Sequence, residues 1–182
     1  LERLFLQDVW PGLDGQDPAG LVHRITRPRG GNIRPLSLPA HEAVQVATWD
    51  LLSKQLGLPL WRVLGGDRAP RVAAYASGLD FHLSDDDFCA LFGTADAQGY
   101  SAFKIKVGHP VFERDLHRLE LLSRTVRKGA QIMVDANEAW GAKEASVKIH
   151  AMRDAGFPLL WVEDPILRHD FDGLRLLRQT TP

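Results

Sequence analysis

Apolar positions along the chain fall into two regimes. From Pro39 onward, Val44, Ala47, Leu51 and Leu52 recur at three- and four-residue spacing, with Trp49 and Leu56 widening the stripe, and this predicts a helix. Ser37 suits its N-cap region and Pro39 its first turn, while Gly57 and Pro59 end it. Leu60 to Leu64 predicts one further turn, broken by Gly65-Gly66. Beyond residue 71, short apolar runs alternate with amphipathic stretches. Val72 to Ser77, Ala102 to Val107, Gln131 to Asp135 and Leu159 to Glu163 read as strands. A helix is predicted after each: from a capping box at Ser84-x-x-Asp87 to Gln98, from Phe112 to Val126 with Phe112, Leu116, Leu119 and Leu122 on one face, from Lys143 to Ala155, and from Asp172 to Arg178. Gly99 and Gly156 stop the first and third of these.

Residues before Pro39 show little periodicity. Pro11, Gly12, Gly15, Pro18 and Gly20 punctuate the beginning, and Arg27-Pro28-Arg29-Gly30-Gly31 reads as a loop. Arg24, Arg27, Arg29 and Arg34 could gather an anion, but a solvated loop accounts for them as well.

Strand and helix in alternation imply βα units and a parallel sheet. Two architectures satisfy that pattern, a doubly wound sheet and a (β/α)8 barrel of the TIM type. The first strand-to-helix turns lack both G-x-G-x-x-G and G-x-x-x-x-G-K-[ST], which weakens the former. Polar residues of one chemical set recur at the ends of successive strands, and in a barrel such ends converge on one site. The expected fold is therefore a barrel, with about its first half present in residues 71–182.

Composition narrows the partners without naming a function. The 182 residues carry a formal net charge of -1, which gives no electrostatic ground for nucleic acid or an anionic membrane as partner. No apolar run is long enough to span a bilayer, and Leu1-Glu2-Arg3 opens no secretory signal pattern. A single cysteine, Cys89, excludes an intrachain disulfide framework and a cysteine-rich zinc site. It reads as a small buried hydrophobe rather than a reactive thiol. A cytoplasmic protein is expected.

The candidate chemistry lies at the strand ends. In Phe103-Lys104-Ile105-Lys106-Val107, alternation puts the apolar residues on one face and both lysines on the other. Either the lysines are solvated on a half-exposed strand, or they face a barrel interior, where unpaired ammonium groups are costly. Ile132-Met133-Val134-Asp135 and Leu160-Trp161-Val162-Glu163 are apolar runs that each end in an acid. Each acid alone could cap the following loop. Two in succession beside two inward lysines suggest oxygen ligands for magnesium. Lys106, Asp135 and Glu163 stand 29 and 28 positions apart, one βα unit each. A lysine becomes a base near neutral pH only when its pKa falls from about 10.4, which a second lysine and a nearby divalent cation both favour. The matching reaction class is metal-assisted proton abstraction α to a carboxylate. Trp140 could line the pocket or pack under a loop, His109 and His169 read as loop residues, and Asp170 or Asp172 as helix caps. His117 and His150 fall in helices with no partner at metal spacing.

These motifs resemble a known family. Ala43 to Leu51, with Leu58-Pro59-Leu60 and Leu64-Gly65-Gly66, is similar to the capping-domain helices of the enolase superfamily. Lys104-Ile105-Lys106-Val107-Gly108, Val134-Asp135-Ala136-Asn137 and Trp161-Val162-Glu163-Asp164-Pro165 resemble its second, third and fourth barrel strands, in the order of the mandelate racemase subgroup of mandelate racemase/muconate lactonizing enzyme-like proteins. The resemblance implies that residues 1–70 are part of an α+β capping domain. It implies Lys106 as the base and Lys104 as the group that lowers its pKa and helps hold a substrate carboxylate. It further implies Asp135 and Glu163 as Mg2+ ligands and Asn137 near a substrate hydroxyl. A small hydroxy-carboxylate substrate, acid-sugar dehydration and a homo-oligomer follow from the same resemblance. A racemase or epimerase shares the first half-reaction, and a Schiff-base aldolase using Lys106 or an inactive fragment stays open. The superfamily also has a third acidic ligand on strand five and a second acid/base beyond it, so the chain is expected to be a piece of a longer protein.

Overall fold

The computed structural model describes residues 2–22, 37–68 and 71–181. The chain forms two compact units, Leu1–Arg71 and Val72–Pro182. The arginines at 24, 27, 29 and 34 lie outside the described residues.

In the first unit, short helical turns between Glu2 and Leu21 precede α1 (Ser37–Gln55) and α2 (Leu60–Val63). Helix α1 starts at Ser37 itself, whose side chain lies outside the described set. The expected apolar stripe is not what α1 buries. Ala47 and Leu51 are exposed and Val44 half-buried, while Thr48 and Ser53 are buried. Their hydroxyls donate within the helix, to Val44 O at 2.7 Å and Asp50 O at 2.9 Å, so these polar residues go under without an unpaired group.

The second unit alternates β1 (Ala76–Ser77), α3 (Asp85–Ala97), β2 (Ala102–Lys106), α4 (Phe112–Thr125), β3 (Gln131–Asp135), α5 (Ala142–Asp154), β4 (Leu159–Glu163) and α6 (Phe171–Thr180). The strands form one parallel sheet in the order β1-β2-β3-β4. Strand β1 is shorter than the run from Val72 predicts. Its register sets Ala76 opposite Phe103, so residues before Tyr75 extend past the start of β2 at Ala102 and have no ladder partner there.

Alternation along the strands builds the core. Phe103, Ile105 and Val107 of β2 and its extension, with Ile132 and Val134 of β3, pack on buried residues of the helices. Those helical residues recur on one face: Phe88 and Phe92 of α3, Leu119 and Leu122 of α4, Ala145, Ile149 and Met152 of α5. Phe92 and Phe103 meet nearly edge to face, ring centroids 6.3 Å apart. Each large side chain buried in this way contributes on the order of 1.5–3 kcal/mol. Ser84 caps α3 as the sequence predicts, its Oγ accepting from Asp87 N–H at 3.1 Å, while the Asp87 carboxylate accepts from the Ser84 hydroxyl at 2.7 Å. Asp170 caps α6 by accepting from Gly173 N–H at 2.8 Å. Cys89 is half-buried against the core, where it accepts from the Thr125 hydroxyl. Among the described residues no helix is long and apolar enough to cross a membrane.

Candidate active site

The helices take one face of the sheet, and the other face carries charge. Register aligns Lys106 with Asp135, and Asp135 with Glu163, so the three occupy one row across β2, β3 and β4. Adjacent strands lie roughly 4.8 Å apart, which leaves neighbouring same-face side chains within reach of one another. Lys106 Nζ donates to Asp135 Oδ2 at 2.6 Å, and Lys104 Nζ, from two residues below, donates to Glu163 Oε2 at 2.5 Å. Lys104 Nζ also lies 4.0 Å from Asp135 Oδ2. The lysines are therefore not solvated: the side chains of Lys104 and Asp135 are 10% and 4% exposed, and only Glu163 reaches 39%. Burial pushes the Lys104 ammonium toward losing its proton, but its hydrogen bond to Glu163 and the charge of that carboxylate outweigh this and hold its pKa above 10.5. The same ammonium sits 5.3 Å from the centroid of the Tyr75 ring, which in turn meets Trp161 edge to face at 5.5 Å.

Tight turns at the strand ends bring further groups to this row. Asn137, Glu138 and Asp164 have positive φ, conformations that cost L-residues energy and are held here by backbone bonds between neighbouring turns. Ala136 N–H donates to Glu163 O at 3.0 Å and Glu138 N–H to Asp164 O at 2.7 Å. Asn137 N–H donates to Asp135 Oδ1 at 2.9 Å, which fixes the carboxylate from the loop side. Glu138 accepts from the Arg168 backbone N–H at 2.8 Å and from its guanidinium at 2.6 Å, tying the β3 turn to the β4 turn. Gly108 follows the lysine strand at φ +100, and a Cβ there would lie 2.7 Å from Ala139 Cβ, so only glycine fits. Its N–H and that of His109 donate to the buried Asp115. An open pocket of about 570 Å³ adjoins Lys106 and Asn137, walled by Leu79, Phe81, His82 and Ala139.

The structure thus brings Lys104, Lys106, Asp135, Glu163 and Asn137 together. Among the described residues no group of three or more Asp, Glu, His or Cys stands ready around a metal ion. Trp140 packs under its loop: it is 4% exposed, and Lys148 Nζ lies 5.2 Å from its ring centroid. The His109 ring accepts from Val111 N–H at 3.0 Å, His117 pairs with Asp85 at 2.7 Å, and His150 bonds the Ser146 carbonyl. Sequence reasoning missed Tyr75, the Glu138–Arg168 tie and Asp80, whose carboxylate is 1% exposed beside Lys106.

Comparison with known proteins gives the family of this fold. The family model described as enolase C-terminal domain-like matches residues 90–182, and the chain belongs to that family. It is 31% identical over 174 residues to the L-Ala-D/L-Glu epimerase of Bacillus subtilis, covering 94% of this chain and 45% of that enzyme. It is 34% identical over 153 residues to the 3,6-anhydro-alpha-L-galactonate cycloisomerase of Streptomyces coelicolor, covering 84% of this chain and 40% of the enzyme. A presumed mandelate racemase from Mesorhizobium loti, known as a crystal structure, shares 60% identity at a TM-score of 0.85, covering 98% of this chain and 46% of that one. A Streptomyces coelicolor racemase solved with bound magnesium superposes at a TM-score of 0.77 with 28% identity, over 97% of this chain and 53% of that one. The relatives also include the L-talarate/galactarate dehydratase of Salmonella typhimurium. They are mandelate racemase/muconate lactonizing enzyme-like members of the enolase superfamily, with TIM-barrel folds, and this chain carries half of such a barrel. The chain spans about half the length of the relatives it matches.

Proposed function

We propose that the protein carrying this chain is a magnesium-dependent enzyme that removes the α-proton of a hydroxy-carboxylate, and that it dehydrates an acid sugar. The observation that supports this reading is the row of Lys106, Asp135 and Glu163 in register, each acid meeting a lysine. Two carboxylates side by side are hard oxygen donors that suit Mg2+, which takes a few protein oxygens and completes its shell from water and substrate. Asp135 and Glu163 would hold the ion, and the ion would supply positive charge to a substrate carboxylate. Lys106 and Lys104 now neutralise those same acids, so a cation there would release both ammonium groups from their partners.

Each residue then has a task. Lys106 Nζ, as the free amine, takes the α-proton; the C–H electron pair moves into the enediolate of the substrate. Expulsion of the β-hydroxyl as water takes back one proton for the one that Lys106 removed, and the enol left behind tautomerises to a 2-keto-3-deoxy acid. Lys104 would hold a substrate carboxylate oxygen, and Asn137, which lines one pocket with Lys106, would lie near a substrate hydroxyl. On this reading residues 1–70 belong to a capping domain, and the protein is a cytoplasmic homo-oligomer that takes a small carboxylate. A second reading, racemisation or epimerisation, shares the proton abstraction and draws support from the similarity to the L-Ala-D/L-Glu epimerase.

The test is to incubate the whole protein with Mg2+ and a panel of aldonic and aldaric acids and follow products by NMR. Dehydration predicts a 2-keto-3-deoxy acid that disappears when the metal is chelated. Inversion without loss of water would move the assignment to an epimerase. Borohydride-trapped adducts of Lys106 formed without Mg2+ would overturn both.

A further inference from the structure

Asp80 lies just beyond β1, 1% exposed, and no step above uses it. Its surroundings tie it to Lys106. Successive residues of a parallel strand turn their N–H groups to opposite neighbours. Val107 N–H donates to Asp135 O at 3.0 Å on the β3 side, so the N–H of Lys106 points to the β1 side. Strand β1 ends at Ser77, opposite Lys104, and offers no ladder carbonyl at the level of Lys106. The Asp80 carboxylate occupies that place. Lys106 N–H donates to its Oδ2 at 3.0 Å and its Oδ1 at 3.3 Å.

The segment that carries Asp80 is itself anchored. Leu83 N–H donates to Asp80 O at 3.1 Å, Arg114 of α4 donates to Phe81 O at 3.1 Å, and Arg118 donates to the carbonyls of Leu83 and Ser84. A buried carboxylate carries an unfavourable desolvation cost, which here outweighs the help of its bonds to the Lys106 N–H and to its own backbone N–H, so its place beside Lys106 implies a use for that bond. Lys106 is the last residue of β2, and while β3 holds that level from one side, its N–H has no β1 acceptor on the other.

We propose that Asp80 is a positioning residue for Lys106. It supplies from a side chain the acceptor that β1 does not, and so fixes the backbone from which Lys106 Nζ reaches Asp135 and the substrate. The inference rests on the reading of Lys106 as the base.

The test uses the whole protein with Asp80→Ala and Asp80→Asn. Asparagine keeps a carbonyl oxygen that can accept the same bond, whereas alanine removes it. Amide hydrogen exchange at Lys106, measured without substrate, should quicken roughly 3- to 10-fold in Asp80→Ala, as expected for one lost bond, and return toward wild type in Asp80→Asn. With the acid that the wild type turns over, kcat for α-proton exchange should fall about 10- to 100-fold in Asp80→Ala at unchanged KM. Asp80→Asn should stay within about 3-fold of wild type, which a role through charge alone would not produce. Unchanged amide exchange in a folded Asp80→Ala, or a matching kcat loss in Asp80→Asn at normal melting temperature, overturns the proposal. Should Asp80→Ala fail to fold, Asp80→Asn decides alone: retained protection and kcat support the proposal, and their loss ends it. If the wild type turns over no acid, the catalytic reading fails, and amide exchange still decides whether Asp80 holds the Lys106 backbone.

Discussion

The two faces of β2, β3 and β4 are made by alternate residues of the same strands and have opposite energetics. On the helix face, Phe103, Ile105 and Val134 are fully buried against Phe92, Leu119 and Leu122 and supply the hydrophobic driving force for folding. On the other face, Lys104, Lys106, Asp135 and Glu163 take positions that apolar residues could fill. Withdrawing charges from water costs several kcal/mol per ion, of which paired geometry returns only part, so such a face is weakly justified by stability. The contrast separates what folds this unit from what it does. One face packs, and the other carries charges that packing does not call for.

The comparison breaks most visibly on the packing side. Phe103→Ala should lower unfolding free energy by about 3–5 kcal/mol, read from denaturant melts, because it empties a fully buried position between β2 and α3. A loss below about 1 kcal/mol would mean that this face is not the core. On the charged side, Lys104→Met combined with Glu163→Leu should leave stability within about 1 kcal/mol of wild type, since Glu163 is partly solvated and its ion pair is screened. The same double variant should lose turnover. Large destabilisation with retained activity would reverse the roles of the two faces.

The smallest expected effect lies away from both. Asp96 accepts from the Arg127 guanidinium at 2.7 Å and from its backbone N–H at 3.0 Å, and these bonds hold its pKa below 3.8. A depressed carboxylate pKa contributes stability that is present above the unfolded value and is lost as pH falls through the folded one. The melting-temperature gap between wild type and Asp96→Asn should therefore be open at pH 5 and narrow below 3.8. A gap that widens with acid would contradict the sign of that shift.

The helix face was legible because its signals are local and periodic. Alternation placed Phe103 and Ile105 together, three- and four-residue spacing placed Leu119 and Leu122, and Ser84-x-x-Asp87 marked the start of α3. The charged row was legible through spacing, since one βα unit separates each member and a parallel register repeats with that unit. Asp80, Asp115 and Arg118 gave no such signal. Each is a buried charged residue that bonds backbone groups of another segment, brought to it only by the fold. The stripe on α1 misled for a related reason. Periodicity marks an apolar face but not whether anything covers it, and Thr48 and Ser53 could be buried because the helix itself satisfies their hydroxyls.

The central claim is that Lys106 removes a proton α to a carboxylate. The most direct measurement is deuterium incorporation at the α-carbon of an acid sugar in D2O with Mg2+, comparing the whole protein with its Lys106→Ala variant. The account predicts exchange in the wild type and a fall of about 10²- to 10⁴-fold in Lys106→Ala, with Mg2+ affinity largely kept. Exchange that persists in Lys106→Ala would contradict it.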